Sequence, residues 1–155
     1  YLGSYLELFN LMKVFLPAYK LETPKLLKLL VFNYLFSNGD AHFKNFALLE
    51  TPMGDYRLSP AYDLLNSRIH IEDKDFALDD GLLPRNLAQG KISKQFAILA
   101  EQVGVSNNYF ADLMIQMVSK SDLVERMVNA SFLNEATKRN YWQAYQGRLK
   151  QLTKE

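Results

Sequence analysis

The spacing of apolar residues along the chain predicts a mainly α-helical domain. An amphipathic helix is expected over residues 4–16, where Pro17 would end it. The segment 26–36 is apolar nearly all round, which is typical of a helix buried in the middle of a core. Thr23 and Pro24 precede this segment, and they are expected to be the cap and the first residue of its helix. The chain is therefore predicted to begin with two packed helices.

The second half of the chain is predicted to be helical throughout. Apolar residues recur at helical spacing over 93–103, 110–118, 123–128 and 134–152, and Gly104 is the expected end of the first of these helices. Methionine and aromatic residues at this spacing are most often core residues. The last helix is predicted to have a core face of Tyr141, Tyr145, Leu149 and Leu152 and a solvent face of Lys138, Arg139, Arg148 and Lys150.

One short β-hairpin is predicted between the two helical parts. Residues 46–49 and 56–58 have the composition of strands, and the turn-forming residues 51–55 separate them. The fold class that follows from these patterns is mainly α with a short β-hairpin.

The composition points to no particular class of partner. The chain has 155 residues, 48% of them hydrophobic, which is enough for one ordinary domain with a sizeable core. Its 18 basic and 17 acidic residues nearly balance, so the totals indicate neither nucleic acid nor a membrane surface as a partner. Without cysteine there is no disulfide, which is compatible with the cytoplasmic location that we expect. No apolar run reaches the roughly 20 residues that span a bilayer, and no signal peptide is visible, so no membrane contact is expected.

Polar groups suited to binding a hard cation flank the predicted hairpin. Asp40 and Asn45 precede the hairpin, with His42 and Lys44 between them, and Asp63 follows it. A hairpin returns the end of its second strand to the start of its first, so Asp63 is expected to lie close to Asn45. Asp40 and Asn45 also have the D-x-x-x-x-N spacing of a protein-kinase catalytic loop. In such a loop the aspartate orients the attacking hydroxyl, and the asparagine offers a carbonyl oxygen to magnesium.

Other interpretations of these residues remain open at this point. Asn38 and Asp40 could each be an ordinary turn or capping residue. Asp40 and His42 could also be two ligands of a zinc hydrolase, but zinc would need further histidine or cysteine ligands, and the chain offers only His70 and no cysteine. An oxygen-rich set of two aspartates and an asparagine suits magnesium instead. It is the joint occurrence of these residues that favours a catalytic site.

The sequence around these residues closely resembles a known kinase family. The strings N-G-D-A-H-F-K-N at 38–45 and L-S-P-A-Y-D-L at 58–64 are similar to those of the HipA-like serine/threonine kinases, the toxin kinases of bacterial toxin–antitoxin pairs. The resemblance implies transfer of the γ-phosphoryl group of ATP to a serine or threonine hydroxyl of a protein substrate. It also implies a role for each site residue: Asp40 as the catalytic base, His42, Lys44 and Asn45 as nucleotide-binding residues, and Asn45 and Asp63 as ligands of Mg²⁺.

The resemblance also has implications for domain organisation and partners. A kinase needs an N-terminal lobe that covers the phosphates, and the catalytic loop here lies only about forty residues from the first residue. The chain, 1–155, is therefore expected to be the C-terminal (large) lobe alone, with its N-terminal lobe supplied in cis or in trans. A cognate antitoxin is the expected protein partner. The alternative is a degenerate lobe that binds such a partner without catalysis.

A DNA-binding helix-turn-helix is one further alternative, over residues 99–106 and the helix that follows. A recognition helix usually carries lysine or arginine near its start, where it meets phosphates and base edges. The helix in question begins with Asn107 and Asn108, includes Asp112, and has no basic residue until Lys120. Direct contact with DNA is therefore not expected.

The acidic segment 72–80 is expected to be a mobile surface loop, because runs of charge are usually solvated. Its place after Asp63 also fits an analogue of a kinase activation segment or a platform for the protein substrate. His70 lies just before the acidic segment, and no role is assigned to it.

Overall fold

The computed structural model describes residues 3–69 and 74–154. Within these residues the chain forms six α-helices and one antiparallel hairpin of two strands. The elements are α1 (Tyr5–Phe15), α2 (Tyr19–Leu35), β1 (Leu48–Glu50), β2 (Tyr56–Leu58), α3 (Ile92–Gln102), α4 (Asn107–Val118), α5 (Ser121–Ala130) and α6 (Glu135–Thr153). No described helix is long and apolar enough to cross a bilayer.

The first helix, α1, matches its predicted range and buries one face. Tyr5, Leu8 and Phe9 lie in the core with little or no exposure. The first amides of α1 have no side-chain cap. Instead, the amides of Tyr5 and Leu6 donate to the carbonyls of residues 81 and 82, at 2.9 and 3.1 Å. A segment distant in sequence therefore satisfies the N-terminal donors that every helix leaves open.

The second helix, α2, is buried as predicted, but its predicted start was wrong. The helix begins at Tyr19, so Thr23 is not its cap and Pro24 lies inside it. The hydroxyl of Thr23 donates to the carbonyl of Tyr19 at 2.9 Å, which ties it to the turn before the proline. Pro24 removes only the amide that would bond to Lys20, an exposed residue of the first turn. A proline this close to the helix start removes one backbone hydrogen bond, and the helix continues past it.

The hairpin lies against α2 and is shorter at its start than predicted. Leu48 pairs with Leu58, and Glu50 pairs with Tyr56. Phe46 does not belong to the strand, because its amide donates to the carbonyl of Phe43 at 3.1 Å and so closes a 3₁₀ turn over Phe43–Asn45. The loop that carries Asp40 and Asn45 therefore extends up to Leu48, the first paired residue of the hairpin.

The four helices of the second half are confirmed, with small changes at their ends. Gly104 has φ +80° directly after α3, the left-handed conformation that a helix-ending glycine adopts. The Ser106 hydroxyl caps α4 by accepting from the amide of Tyr109 at 3.3 Å. Asn134 caps α6 by accepting from the amide of Thr137 at 2.9 Å. The helix α5 extends two residues beyond its predicted range of 123–128 at each end.

One residue of α6 has the opposite environment to the one predicted. Arg148 was placed on the solvent face, but it is only 6% exposed. Its guanidinium forms an ion pair with Asp75, donates to the carbonyl of Lys74 at 3.0 Å, and lies 4.8 Å from the ring centre of Tyr34. The prediction failed because a charged residue on a helix was assumed to face water, whereas here an acid and an aromatic ring from distant segments compensate its burial.

The acidic segment before α3 is only partly a surface loop. Lys74, Asp75 and Asp79 are exposed, as expected, but Leu78 is buried. Leu82, just beyond the segment, is fully buried in the core. Phe76 also packs its ring against those of other core aromatics. The segment is therefore anchored by apolar residues that alternate with its charges. The residues 70–73, including His70, lie outside the described part of the chain, so the interpretations placed on them stay predictions.

Candidate functional site

The hairpin brings two of the predicted site residues into contact. The side-chain amide Nδ2 of Asn45 donates a hydrogen bond to Oδ2 of Asp63. Asn45 belongs to the 3₁₀ turn before β1, and Asp63 lies beyond β2, so the antiparallel pairing closes the distance between them. Asp63 has φ +54°, a conformation that only a few per cent of non-glycine residues adopt and that is enriched at functional sites. The predicted proximity of Asp63 and Asn45 is therefore observed.

Asn38 connects the loop that contains Asp40 to the segment that contains Asp63. Its side chain is buried, and Nδ2 donates to the carbonyl of Asp63 at 3.0 Å and to Oδ1 of Asn33 at 3.2 Å. Oδ1 of Asn38 accepts from the amide of Asp40 at 3.3 Å. One buried amide group thus fixes the backbone on both sides of the site and ties it to α2. The interpretation of Asn38 as only a local turn residue is too limited.

Ser67 makes a second connection between the same two segments. It is buried, and its hydroxyl accepts from the amide of Gly39 at 2.7 Å. Its amide and hydroxyl both bond to the carbonyl of Ser37, each at 3.2 Å. Ser37 itself has φ +54°, which turns the chain sharply out of α2. The backbone that carries Asp40 is therefore held on both of its flanks.

Asp40 and His42 form a pair within the loop. Nε2 of His42 lies 3.1 Å from Oδ1 of Asp40, and the side chains are 13% and 43% exposed, respectively. Burial lowers the pKa of His42 below its usual 6.5, and Lys44 lowers it further, although the Asp40 carboxylate acts in the opposite direction. His42 is therefore neutral near pH 7, where its Nε2–H donates to Asp40 and orients that carboxylate. The more exposed Asp40 remains accessible to a molecule outside the loop.

Lys44 is held at its backbone and not at its side chain. The carbonyl of Lys44 accepts from the hydroxyl of Tyr62 at 2.9 Å, a further bond between the loop and the segment after β2. The side chain of Lys44 is exposed, and within residues 3–69 and 74–154 no hydrogen bond or ion pair of its ammonium group is seen. The ammonium group is available for an anionic ligand.

Tyr5 of α1 supports the loop that carries His42 through a hydrogen bond and a ring contact. The hydroxyl of Tyr5 in α1 donates to the carbonyl of Ala41 at 2.8 Å. The ring of Tyr5 also meets the ring of Phe46 edge to face, with the ring centres 6.1 Å apart. Burial raises the pKa of Tyr5 well above its usual value, so the hydroxyl stays a donor at all ordinary pH values. The first helix therefore fixes both ends of the stretch that carries His42.

The donor set fits a hard cation that binds oxygen. Oδ1 of Asn45 is buried and has no hydrogen-bond partner among the described residues, and it lies on the same amide group that touches the Asp63 carboxylate. A buried carbonyl oxygen left without a partner is unusual, and a cation would satisfy it. Within residues 3–69 and 74–154, no three histidine, aspartate or glutamate side chains form a cluster that could hold a metal ion. The set available is one carboxylate and one amide, completed by water or phosphate, which is the way Mg²⁺ is commonly held.

Sequence reasoning identified the charged residues of the site but missed its supports. Tyr5, Ser67 and Tyr62 were given no role, and their bonds reach partners that are distant in sequence. The only signal for any of these supports in the sequence was position, because Tyr62, like Asn38, lies inside one of the two strings that carry the family resemblance. The structure leaves the chemical roles of Asp40, Asn45 and Asp63 as predictions, while it shows how each is positioned.

Comparisons with known proteins identify the family. The family model described as the HipA-like C-terminal domain matches residues 1–127. A protein of Sinorhizobium fredii named "Putative kinase Y4dM" is 32% identical over 100 residues, which are 64% of this chain and 24% of that protein. A chain in the complex of the Shewanella oneidensis MR-1 toxin–antitoxin proteins HipA and HipB with operator DNA is similar in structure. That match has a TM-score of 0.71 at 20% identity and covers 96% of this chain and 35% of the other.

These matches differ in what they show. At 20% identity the structural likeness shows the fold alone, and it confirms the prediction of a mainly helical lobe of the HipA type. The chain spans about a quarter of the Sinorhizobium fredii protein and about a third of the Shewanella oneidensis chain, so it corresponds to one part of each. The family match extends over most of the chain and includes every predicted site residue. The chain therefore belongs to the family of HipA-like C-terminal domains.

Proposed function

We propose that this chain is the metal-binding and catalytic lobe of an ATP-dependent serine/threonine protein kinase, the toxin of a toxin–antitoxin pair. One observation carries the proposal: Asn45 and Asp63 meet across the hairpin, and the amide of Asn45 keeps an unpartnered buried oxygen. A structural turn or cap would not need this arrangement. The family membership and the kinase-like spacing of Asp40 and Asn45 support the same conclusion.

In this mechanism Asn45 and Asp63 would hold Mg²⁺ through the amide Oδ1 and the carboxylate. The bound ion would neutralise charge on the phosphates of ATP. Rotation of the Asn45 amide would direct Oδ1 towards the ion, since the amide orientation is set by its hydrogen bonds. The exposed Lys44 ammonium would steady the phosphates as a point charge. Because Asn38 fixes the backbone at both Asp40 and Asp63, the nucleotide and the acceptor hydroxyl would be held in a constant relation.

Asp40 would act on the hydroxyl of the protein substrate. One of its carboxylate oxygens accepts from His42, and the group as a whole is 43% exposed, so it can meet a serine or threonine from solution. It would accept the hydroxyl proton as the oxygen attacks the γ-phosphorus of ATP, while ADP leaves. Neutral His42 orients the carboxylate for this step through the contact of its Nε2 with Oδ1 of Asp40.

The partners follow from the family and from the share of each relative that the chain spans. We propose that an N-terminal lobe, in cis or in trans, completes the phosphate-binding cleft, and that a cognate antitoxin binds the protein in the cytoplasm. The structural relative was solved with HipB and operator DNA, which supports an antitoxin partner. Direct contact of this lobe with DNA is not proposed, because α4 begins with exposed Asn107 and Asn108 and carries the exposed Asp112.

The first experiment measures binding of Mg·ATP to the purified 155-residue chain by titration calorimetry. We expect weak binding that Asp63→Asn abolishes, whereas Asp112→Asn, an exposed aspartate on α4, leaves it unchanged. In the complete enzyme with both lobes, Asp40→Asn is expected to lower phosphoryl transfer by roughly 100- to 10,000-fold, the usual contribution of a general base. An affinity for Mg·ATP that Asp63→Asn does not alter would contradict the proposed metal site.

A second experiment separates the kinase from a degenerate lobe that only binds a partner. Expression of the complete protein is expected to arrest growth, and Asp40→Ala is expected to remove that arrest while antitoxin binding is kept. Arrest that persists in the Asp40→Ala variant would contradict a catalytic role.

A further inference from the structure

An apolar cavity of about 390 Å³ is lined in part by residues 64–66, the segment that follows Asp63. Its wall is formed by the C-terminal end of α2, by residues 64–66, and by α4, α5 and α6. This volume is within the range of about 300–1,000 Å³ that is typical of pockets for small molecules in proteins. None of Asp40, Asn45 and Asp63 contributes to the described wall, so the cavity is separate from the proposed metal site.

Most of the wall is carbon and sulfur, which fits an apolar ligand. The side chains include Phe36, Leu65, Met117, Leu123 and Met127. Leu65, Leu123 and Met127 are each more than 40% exposed, so they form an open wall and not a filled core. Methionine side chains adapt their shape to different apolar ligands. The cavity thus offers an adaptable apolar surface to a molecule from solution.

The wall also has polar side chains, and two of them, Lys120 and Tyr145, give it a chemical preference; the others are Asn66, Gln116 and Tyr141. Among the described residues that line the cavity, Lys120 is the single charged one, and it lies exposed at the start of α5. Tyr145 also lines the cavity, and its side chain is only 1% exposed. The hydroxyl of Tyr145 has no hydrogen-bond partner among the described residues. A buried hydroxyl without a partner carries an energetic penalty that a ligand oxygen would remove.

We propose that this cavity binds a small amphiphilic carboxylate with an alkyl body, such as a medium-chain fatty acid. The alkyl chain would pack among the leucine, methionine and phenylalanine side chains of the wall. The carboxylate oxygens would accept from the Lys120 ammonium and from the Tyr145 hydroxyl. Charge selects the head group, because the described wall offers a cation and no carboxylate that would repel an anion. The length of the ligand follows from the cavity volume, which has room for a chain of moderate length.

The chain carries its own reporter for this site. Trp142 is the single tryptophan, and its ring is stacked on that of Tyr145 with the ring centres 5.6 Å apart. A ligand that bonds to the Tyr145 hydroxyl would change the surroundings of this pair. The fluorescence of Trp142 can therefore follow binding without a label.

The test is a titration of the chain with hexanoate, octanoate and decanoate, followed by Trp142 fluorescence and by calorimetry. We expect saturable binding whose affinity rises about fourfold with each methylene, because each methylene leaves water for an apolar wall. Nonyltrimethylammonium, with the same alkyl chain as decanoate and the opposite charge, is expected to bind at least about tenfold more weakly than decanoate. The absence of saturable binding, or equal affinities for the two head groups, would overturn the proposal.

Two variants test the assigned contacts. Lys120→Gln is expected to weaken decanoate binding about tenfold or more, the usual effect of losing a hydrogen bond to a charged group. Its matched control is Lys150→Gln, an exposed lysine on α6 that does not line the cavity. Tyr145→Phe is expected to weaken decanoate binding while the melting temperature of the free chain stays equal or rises, because an unpartnered hydroxyl is removed. Decanoate affinities that both variants leave unchanged would overturn the assignment.

Discussion

The site segment, residues 37–67, and the helical half, residues 92–153, are held in place by different kinds of interaction. The site segment contains no fully buried leucine or phenylalanine, and its two loops are joined by polar bonds from Asn38, Ser67 and Tyr62. The helical half is joined to α2 through fully buried apolar residues, of which Phe96 and Leu99 are examples. The site is thus a polar assembly placed on an apolar base.

The two regions therefore contribute to different properties: the site segment to function and the helical half to stability. A polar bond of the site contributes little net free energy but fixes the direction of a side chain, whereas a buried apolar side chain contributes more free energy and no chemistry. The carboxylates of Asp40 and Asp63 can therefore stay exposed to a ligand without weakening the core. Substitutions in the two regions should accordingly change different measurements.

The largest expected effect on stability is in the helical half. Leu99→Ala removes a fully buried side chain of α3, so the free energy of unfolding is expected to fall by about 2–5 kcal/mol. Urea denaturation measures this fall, and the affinity for Mg·ATP should be unchanged wherever the variant is folded. The matched control is Leu21→Ala in α2, where the leucine is 72% exposed and the loss should be at most about 0.5 kcal/mol. Equal losses in the two variants would contradict an apolar base for the site.

A smaller loss of stability but a larger loss of binding is expected in the site segment. Asn38→Ala removes the bonds to the Asp63 carbonyl and the Asp40 amide, and it should lower the free energy of unfolding by about 1–3 kcal/mol. The Mg·ATP affinity measured by calorimetry should fall as far as it does in Asp63→Asn, although Asn38 is not a proposed ligand. Asn86→Ala, an exposed loop asparagine, is the control and should change neither quantity. A wild-type affinity for Mg·ATP in the Asn38→Ala variant would show that the hydrogen bonds of the Asn38 side chain do not position the site.

The two kinds of interaction also differ in how far the sequence could predict them. Apolar spacing gave the helices, because burial of one face repeats with the helical period and needs no knowledge of the partner. The hairpin gave the contact of Asn45 with Asp63, since strand pairing is set by nearby residues. Both depend on short-range patterns. Most of the fold and the charged residues of the site were therefore predictable.

The polar contacts between distant segments were not predictable from the same patterns. Arg148 has the same charge whether it faces water or Asp75, and only the folded chain decides between the two. The hydroxyl of Tyr5 and the amide of Asn38 likewise find carbonyl partners whose positions depend on the whole fold. Composition and period carry no information on such pairings, so the supports of the site became visible only in the structure.

The smallest expected effect concerns the pH dependence that His42 gives to the site segment. Burial lowers the pKa of His42, so as the pH falls below about 6.5 the unfolded chain takes up a proton that the native chain resists. Stability should therefore decrease as the pH falls through this range, and His42→Gln should make that decrease shallower. Urea denaturation at several pH values between about 7.5 and 5 measures both slopes. The opposite sign, with His42→Gln steeper than the wild type, would mean that the native loop favours protonated His42.

NMR titration of the imidazole resonances tests the cause directly. The His42 signal, assigned by its loss in His42→Gln, should titrate below 6.5, the usual pKa of histidine. Asp40→Asn should lower the pKa of His42 further, because the carboxylate that favours the protonated form is gone while the burial remains. A higher pKa of His42 in Asp40→Asn would contradict this expectation. It would mean that the substitution had changed the burial of the imidazole, and that Asp40 and His42 are not paired as in this structure. Since Asp40 is the proposed base, this measurement links the electrostatics of the loop to the group that would take the proton of the substrate.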